Sequence, residues 1–368
     1  MKPSLLLDDL LGTDLARPPV ASSPAASRPA PLLANVKQSF VTRRATLRDA
    51  AGLATDRPPR AGDLALARVE RLGHHTRLQL AGGRRSQLHV GDRIVVCYGH
   101  RYAPDQYEAE VPCGLEPCAL VTAGGVAGRV VSRHPRMKPA TTIRPEGLLC
   151  DARGVVLNLR RYALPIAHPS LPSQVPVVAV LGTSMNAGKT TTAAALVRGL
   201  TGAGLRVSAV KATGTGSGND VWSLEDAGAH LVLDFADMGY PSTFRVPPSE
   251  LETLLDRLLA SAARITPDVI VLEVADGLLH EETAGIVCSN RFRSAVTSIL
   301  FCAGDGLGAL AGTEWLEARG LPVVGVSGLV TASPLAREEA RRATRLPLWT
   351  RDALADPEQA LGLAGLRP

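Results

Sequence analysis

Residues 177–196 read VVAVLGTSMNAGKTTTAAAL, an apolar run that leads through a glycine-bounded loop into an alanine-rich segment. The apolar run VVAVLG is typical of a strand that is buried on both faces of a parallel sheet. The segment that begins at Lys189 favours a helix, because alanine and leucine are good helix formers and glycines follow it. This stretch therefore predicts a buried strand, a short loop and a helix in immediate succession.

The loop between this strand and this helix has the composition of a phosphate-binding loop, or P-loop. Its glycines let backbone N–H groups face a phosphate, and the N-terminus of the helix adds a partial positive charge. Lys189 would reach the β- and γ-phosphates of a nucleotide, and the Thr190 hydroxyl would hold Mg²⁺. The residues predicted to bind the nucleotide cofactor are Gly182, Thr183, Asn186, Ala187, Gly188, Lys189, Thr190 and Thr191.

The rest of the second half alternates between apolar runs and amphipathic segments, which predicts a doubly wound α/β domain over residues 177–368. The further predicted strands are the short runs RVSAVKA, HLVLDF, DVIVLEV, AVTSILFCA and LPVVGVSGL. The segments SELETLLDRLLASAARI and LAREEARRA have the apolar spacing of amphipathic helices. In such a fold, ligands bind at the carboxyl ends of the strands.

The first half has a different pattern. Short alternating runs punctuated by glycine predict a small β-barrel or sandwich-like domain over residues 61–165. Residues 1–60 are predicted to be a flexible arm that could include short helices, since part of it is rich in Pro, Ala and Ser. The proline-rich residues 166–176 are predicted to be a linker. The whole fold prediction is thus a P-loop α/β sheet preceded by a small mainly-β domain and a flexible arm.

Composition limits the classes of partner. Residues 1–170 hold 24 basic and 14 acidic side chains, but they show no basic strand with interleaved aromatic residues, so we expect no nucleic-acid partner. No apolar run reaches 18 residues and no signal-peptide pattern is present, so we expect no membrane span. Six scattered cysteines fit reduced thiols. Together these features favour a cytoplasmic protein, with a homo-oligomer left open.

Lysine is scarce in this chain and therefore informative. Of the 40 basic residues, only five are lysines, and two of these, Lys189 and Lys211, follow predicted buried strands in the acidic half. Lysine is a compact point charge that fits a phosphate nest, whereas the larger guanidinium would crowd it. Both lysines are therefore predicted to face the phosphates, as catalytic residues.

The loop has the form GTxxxxGKT, which resembles the P-loop of dethiobiotin synthetase and the related cobyrinic acid synthases. In VKATGTG, Lys211 and Thr213 match a segment of that family which reaches the phosphates and the substrate, with Ala212 in place of its usual proline. VIVLEVADGLL is similar to that family's strand ending in glutamate, which implies that Glu273 is a magnesium ligand.

A second P-loop family, which includes D-glutamate N-acetyltransferases, is similar in other places. The matching features are TGTG after the second strand, Asp234-Phe235, and GLLHEETAG after Glu273. Both resemblances lie within residues 175–335, and we recognise no family in the first 170 residues.

These resemblances imply Mg-dependent binding of ATP and activation of a small metabolite that bears a carboxylate, or of an amino acid, through an acyl phosphate. The magnesium ligands would be Thr190, Glu273 and one of Asp220 and Asp226, between which the sequence does not choose. Asp276 has either a substrate-binding, catalytic role or only a place in a turn. An N-acyltransferase that uses acetyl-CoA and a nucleotide-dependent regulatory or binding protein are the alternatives.

Overall fold

The computed structural model describes residues 31–165 and 175–366. Residues 1–30 of the predicted arm and residues 166–174 of the predicted linker lie outside the described residues. No helix of the described ranges is long and apolar enough to cross a lipid bilayer.

The first unit is built from short strands. In chain order these are β1 (Lys37–Gln38), β2 (Gly52–Ala54), β3 (Leu64–Arg71), β4 (Arg77–Gln79), β5 (Arg85–Gln87), β6 (Arg93–Tyr98), β7 (Tyr107–Glu110), β8 (Cys118–Leu120), β9 (Val126–Arg133) and β10 (Thr141–Cys150). The pairings run β6–β3–β10–β8–β9, and β9 pairs back with β6. Five strands thus close into a small barrel, which leaves few unpaired strand edges.

Residues 31–60 differ from the predicted flexible arm. β1 pairs in parallel with β6, and β2 pairs antiparallel with β10, so this segment extends the barrel sheet. Phe40 and Val41 between them are buried. The segment is ordered by pairing with strands that lie far away in the chain.

The second unit is a six-stranded parallel sheet with helices. Its strands are β11 (Val177–Gly182), β12 (Val207–Lys211), β13 (Leu231–Asp234), β14 (Val269–Glu273), β15 (Ser298–Cys302) and β16 (Val323–Ser327), in the order β13-β12-β14-β11-β15-β16. Its helices are α1 (Lys189–Gly202), α2 (Asn219–Asp226), α3 (Pro248–Ala262), α4 (Glu281–Cys288), α5 (Asn290–Ala295), α6 (Gly306–Glu317), α7 (Pro334–Thr344), α8 (Arg351–Ala355) and α9 (Pro357–Ala364). The predicted α/β fold class is confirmed.

Burial explains why these segments form strands and helices. Every residue of β11 is buried, as the continuous apolar run requires for a central strand. In α3 the buried positions Leu251, Leu254, Leu255 and Leu258 follow helical spacing and face the sheet. Because all six strands are parallel, their carboxyl ends meet at one edge of the sheet, and the functional loops gather there.

The barrel and the sheet share a hydrophobic core. Along β3, Ala65 and Ala67 pack inside the barrel, whereas Leu64 and Leu66 belong to a buried cluster that continues into the second unit. Alternate residues of a strand point to opposite faces, so a single barrel strand contributes to both cores. Polar contacts add to this interface, including the Thr122 hydroxyl, which donates to the Gly216 carbonyl at 3.1 Å.

A buried ion pair also joins the two units. Arg43 reaches Asp234 Oδ1 at 2.7 Å and Asp237 Oδ1 at 2.8 Å. Asp234 also accepts the backbone N–H groups of Ala236 and Asp237, which caps the turn after β13. Asp234, one of the residues that carries the second family resemblance, therefore holds the barrel segment on the sheet.

Removing the Arg43 charge should destabilise the chain, because it leaves two buried carboxylates without their cation. For Arg43→Gln we expect the free energy of unfolding to fall by about 3 kcal/mol in urea denaturation. Arg48→Gln is the matched control at an exposed position, and it should change this free energy by less than about 0.5 kcal/mol. Equal effects of the two substitutions would show that the ion pair does not stabilise the interface.

Candidate phosphate and metal site

The P-loop connects β11 to α1, and its geometry needs glycine at one place within the loop and at one place in the segment that faces it. Gly188 has φ of 97°, in the left-handed region that side chains rarely adopt, and it cannot cap α1 because it has no side chain. The first N–H groups of the helix are therefore left for a ligand. Across the loop, a Cβ on Gly277 would lie 2.1 Å from the Thr183 carbonyl oxygen, so only glycine allows this approach.

The loop forms one wall of a cavity of about 530 Å³. Of the residues predicted to bind the cofactor, Asn186, Gly188, Lys189, Thr190 and Thr191 line this cavity. Gly182, Thr183 and Ala187 are not among the lining residues. Gly182 ends β11, the Thr183 N–H donates to the Cys302 carbonyl, and the Ala187 carbonyl accepts the Leu329 N–H, so these three shape the loop.

Lys189 is a buried cation inside the loop. It is only 6% exposed, and its Nζ donates to the Ser184 carbonyl at 2.6 Å. Burial lowers the pKa of Lys189, because the charged form loses its hydration, and the charges of Glu273 and Asp276 act against this shift. An anionic ligand would compensate the buried charge.

Three oxygen atoms converge beside Lys189. The Thr190 hydroxyl donates to Glu273 Oε1 at 2.9 Å and lies 3.4 Å from Asp220 Oδ1. Lys211 donates to Asp220 and to Glu273 Oε1, the latter at 3.3 Å. The sheet register causes this convergence, because Glu273 is paired with Val180 of β11 on one side and with Lys211 of β12 on the other.

These oxygen atoms fit Mg²⁺. Mg²⁺ binds oxygen at about 2.1 Å in octahedral geometry, so neighbouring ligands lie about 3 Å apart, close to the Thr190–Glu273 distance. The second oxygen of Glu273, Oε2, is buried and has no hydrogen-bond partner among the described residues. In that part of the chain no group of three or more His, Cys, Asp or Glu residues could hold a metal. Two carboxylates and a hydroxyl agree with Mg²⁺ that keeps water and phosphate oxygens as further ligands.

Lys211 carries the positive charge that now balances these carboxylates. Burial by itself would lower its pKa, but the charges of Glu273 and Asp220 raise the pKa of Lys211 above its ordinary value. Lys211 is thus held protonated at the cavity wall, whereas burial lowers the pKa of Lys189.

The remaining predicted residues have different positions. Asp276 is 8% exposed and lines the cavity, and burial raises its pKa. Its backbone N–H donates to the Thr283 hydroxyl, which fixes the loop after β14. Thr213 is buried, donates to the Ala275 carbonyl and is not a lining residue, so it braces the cavity wall from behind.

The structure distinguishes the two candidate aspartates. Asp220 lies in the first turn of α2, beside Thr190 and Lys211. Asp226 ends the same helix and is exposed, and it lies six positions further along, about 9 Å away along the helix axis. Asp226 therefore lies outside the metal cluster.

The barrel supplies the other wall of the cavity. His75, Arg101, Tyr102, Gln106 and Thr122 line the cavity together with the P-loop. In the same barrel loop, Asp105 Oδ2 accepts a hydrogen bond from Asn186 Nδ2 at 2.9 Å. The sequence signal for this segment is YGHRYAPDQYEAEVP, residues 98–112, where charged and aromatic residues cluster, and the structure places β7 within it.

Comparisons with known proteins were made by family, by sequence and by structure. No family model matches the chain, and no curated protein matches it. Solved structures with some similarity include the signal recognition particle receptor FtsY from Elizabethkingia anophelis, at 16% identity and a TM-score of 0.32. Others are a DUF1611 family protein from Anabaena variabilis, at 17% and 0.40, and the kinase domain of the Escherichia coli tyrosine kinase ETK, at 17% and 0.32.

These alignments are partial. They cover 56%, 59% and 42% of this chain, and 57%, 66% and 67% of the respective structures. The chain thus matches less than two thirds of the length of the first two. With such TM-scores, the likenesses do not bear on activity or ligand. The P-loop assignment is based on this chain's own loop, helix and parallel sheet, and the resemblances to dethiobiotin synthetase and to D-glutamate N-acetyltransferases remain predictions.

The pKa of Lys189 is lowered and the pKa of Lys211 is raised, and this difference can be tested by carbamylation with cyanate. Cyanate modifies only neutral amines. We expect Lys189 to react at a lower pH than Lys211, because a lowered pKa releases the proton earlier and a raised pKa retains it. Peptide mapping across a pH series gives both rates, and the exposed Lys138 reports on the reagent itself. Modification of Lys211 at a lower pH than Lys189 would contradict the assigned electrostatics.

Proposed function

We propose that this protein is a Mg-dependent P-loop enzyme that uses ATP to activate a small metabolite bearing a carboxylate. One observation carries the proposal. Thr190, Glu273 and Asp220 converge at the first turn of the P-loop helix, with the second oxygen of Glu273 buried and unpaired among the described residues. This is the donor set that a metal-bound nucleotide needs beside a phosphate loop.

The roles of the residues follow from their positions. Lys189 and the first N–H groups of α1 would bind the phosphates. Thr190, Glu273 and Asp220 would hold Mg²⁺, which would supply neutralisation of phosphate charge when it is bound. Lys211, kept protonated between the two carboxylates, would stabilise negative charge that develops during transfer.

A phosphoryl transfer fits the resemblance to dethiobiotin synthetase. A carboxylate oxygen of the substrate would bond to the γ-phosphorus as the bond to the ADP oxygen breaks, which gives an acyl phosphate that an amine then captures. Asp276 lies in the same cavity, and burial raises its pKa, so it is placed to take up the proton that the amine releases.

A second cavity supports nucleotide binding. It has a volume of about 500 Å³, also reaches Gly188 and Thr191, and is lined by residues that follow β16, among them Gly328 and Leu329. A nucleoside needs such a space beside the phosphate loop. An acyltransferase using acetyl-CoA is the alternative, but the diphosphate of CoA requires no metal, so the carboxylate pair favours ATP.

The first test is ligand-dependent thermal stabilisation. We expect Mg·ATP at a hundredfold excess over Kd to stabilise the protein by about 2.7 kcal/mol, and Lys189→Ala to abolish the effect. Lys138→Ala, at an exposed lysine, should behave as the unmodified protein. Stabilisation by acetyl-CoA but not by ATP would overturn the proposal in favour of the acyltransferase. ATP hydrolysis that needs a protein partner and no small molecule would favour a regulatory protein.

The metal site has a separate test. For Glu273→Gln we expect the Mg-dependent gain in ATP affinity to fall about tenfold or more, with less effect on binding without Mg²⁺, because the amide removes the buried charged ligand. Isothermal titration calorimetry with ATP, in the presence and in the absence of Mg²⁺, measures both affinities. Asp226→Asn is the matched control, and a loss as large in this variant as in Glu273→Gln would contradict the assigned ligands.

A further inference from the structure

We propose that Arg101, which the barrel supplies, binds the carboxylate of the small-molecule substrate in the P-loop cavity. Arg101 would thus be a substrate-binding residue of the reaction proposed above, and this role rests on that proposed function. It makes the barrel part of the active site, whereas the family resemblances are confined to the second unit.

The backbone of Arg101 is held firmly. Its N–H donates to the Ala109 carbonyl at 2.8 Å, and the Ala109 N–H donates back at 2.9 Å, next to β7. The side chain is directed inward, since the residue is only 7% exposed and also lines the cavity. Arg101 is therefore a buried residue that still reaches the ligand space.

The guanidinium lacks the partners that a buried charge requires. Its Nη2 donates to Gln106 Oε1 at 2.7 Å, but Nε and Nη1 are buried without any acceptor among the described residues. Within those residues Arg101 also forms no salt bridge. Burial lowers the pKa of Arg101 to about 10, even though Asp105, Tyr107 and Asp276 raise it. Buried charges are normally paired, so this arrangement indicates an anion that comes from outside the protein.

The cations already available to the phosphates indicate that the anion bound by Arg101 is a carboxylate. The phosphates already have Lys189, Lys211 and the α1 N-terminus, all supplied by the second unit. Arg101 enters from the barrel, and the charge of Asp276 acts on both Arg101 and Lys189, so the guanidinium faces the same part of the cavity as the P-loop lysine. A substrate carboxylate bound by Arg101 would then lie beside the γ-phosphate that it attacks in the proposed reaction.

A purely structural role makes a different prediction. The Arg101 guanidinium also lies over the Tyr107 ring, 5.7 Å from its centroid, so the side chain could serve only to pack the barrel loop. In that case substitution would lower stability and leave anion binding unaffected. Arg101→Lys preserves the charge and much of the stem, which separates the two roles when it is compared with Arg101→Gln.

The experiment is a set of separate calorimetric titrations of the full chain. The titrants are glutarate, which is a simple dicarboxylate, its uncharged diamide glutaramide, and inorganic phosphate. We expect glutarate but not glutaramide to bind, Arg101→Gln to weaken glutarate about tenfold or more, and Arg101→Lys to retain part of the affinity. Arg133→Gln, at an exposed barrel arginine, should leave glutarate binding unchanged. Thermal unfolding of each variant shows whether it is folded.

Each contrary outcome overturns the inference. Glutarate that fails to bind the unmodified protein, or that binds Arg101→Gln equally well, excludes Arg101 as the carboxylate site. Weakened phosphate binding with unchanged glutarate binding would assign Arg101 to the phosphates instead. Failure of the proposed function is distinguishable, because Mg·ATP would then give no stabilisation while glutarate binding still depended on Arg101. Conversely, Mg·ATP stabilisation in Arg101→Gln with unaltered glutarate binding would overturn only the present inference.

Discussion

The buried carboxylate of Glu273 is the group on which the candidate site depends. It ends β14 in register with Lys211 of β12, and the helix that follows β11 brings Thr190 to it from the other side. An ionised carboxylate in the interior is stable only with cations or donors around it. The hydroxyl and the ammonium group meet that need, and the unpaired oxygen Oε2 leaves room for a metal ion.

The barrel completes the cavity of the candidate site. A P-loop at the edge of an open sheet faces solvent, whereas here Arg101, Tyr102 and Gln106 of the barrel line the same cavity as the loop. The barrel can do this because it is anchored by a shared core and by the pair of Arg43 with Asp234 and Asp237. Lys189 and Arg101 are both buried residues that line this cavity. Electrostatic interactions of such buried side chains with a ligand are stronger than those of exposed side chains.

Local pattern was enough for the α/β fold class. The five apolar runs predicted after the P-loop strand correspond to β12 through β16, because a strand buried on both faces must be apolar along its length. The sequence did not predict the structure of segments that are ordered by pairing with distant parts of the chain. Residues 37–54 lie on the barrel sheet through β6 and β10, and nothing in their own composition indicates those pairings. Asp220 and Asp226 were equivalent in sequence, and only the first turn of α2 against Thr190 distinguishes them.

The sequence alone determined the loop, its lysine and threonine, and the strand that carries Glu273, because each depends on a pattern of neighbouring residues. Tertiary structure decided which aspartate joins Glu273, that Thr213 braces the wall instead of lining the cavity, and that Arg101 reaches the P-loop. The first two depend on packing within the second unit, between residues 30 and 62 positions apart, and the third depends on the placement of the barrel against the sheet. Such packing leaves no periodic signal in the chain, so it became visible only in the folded molecule.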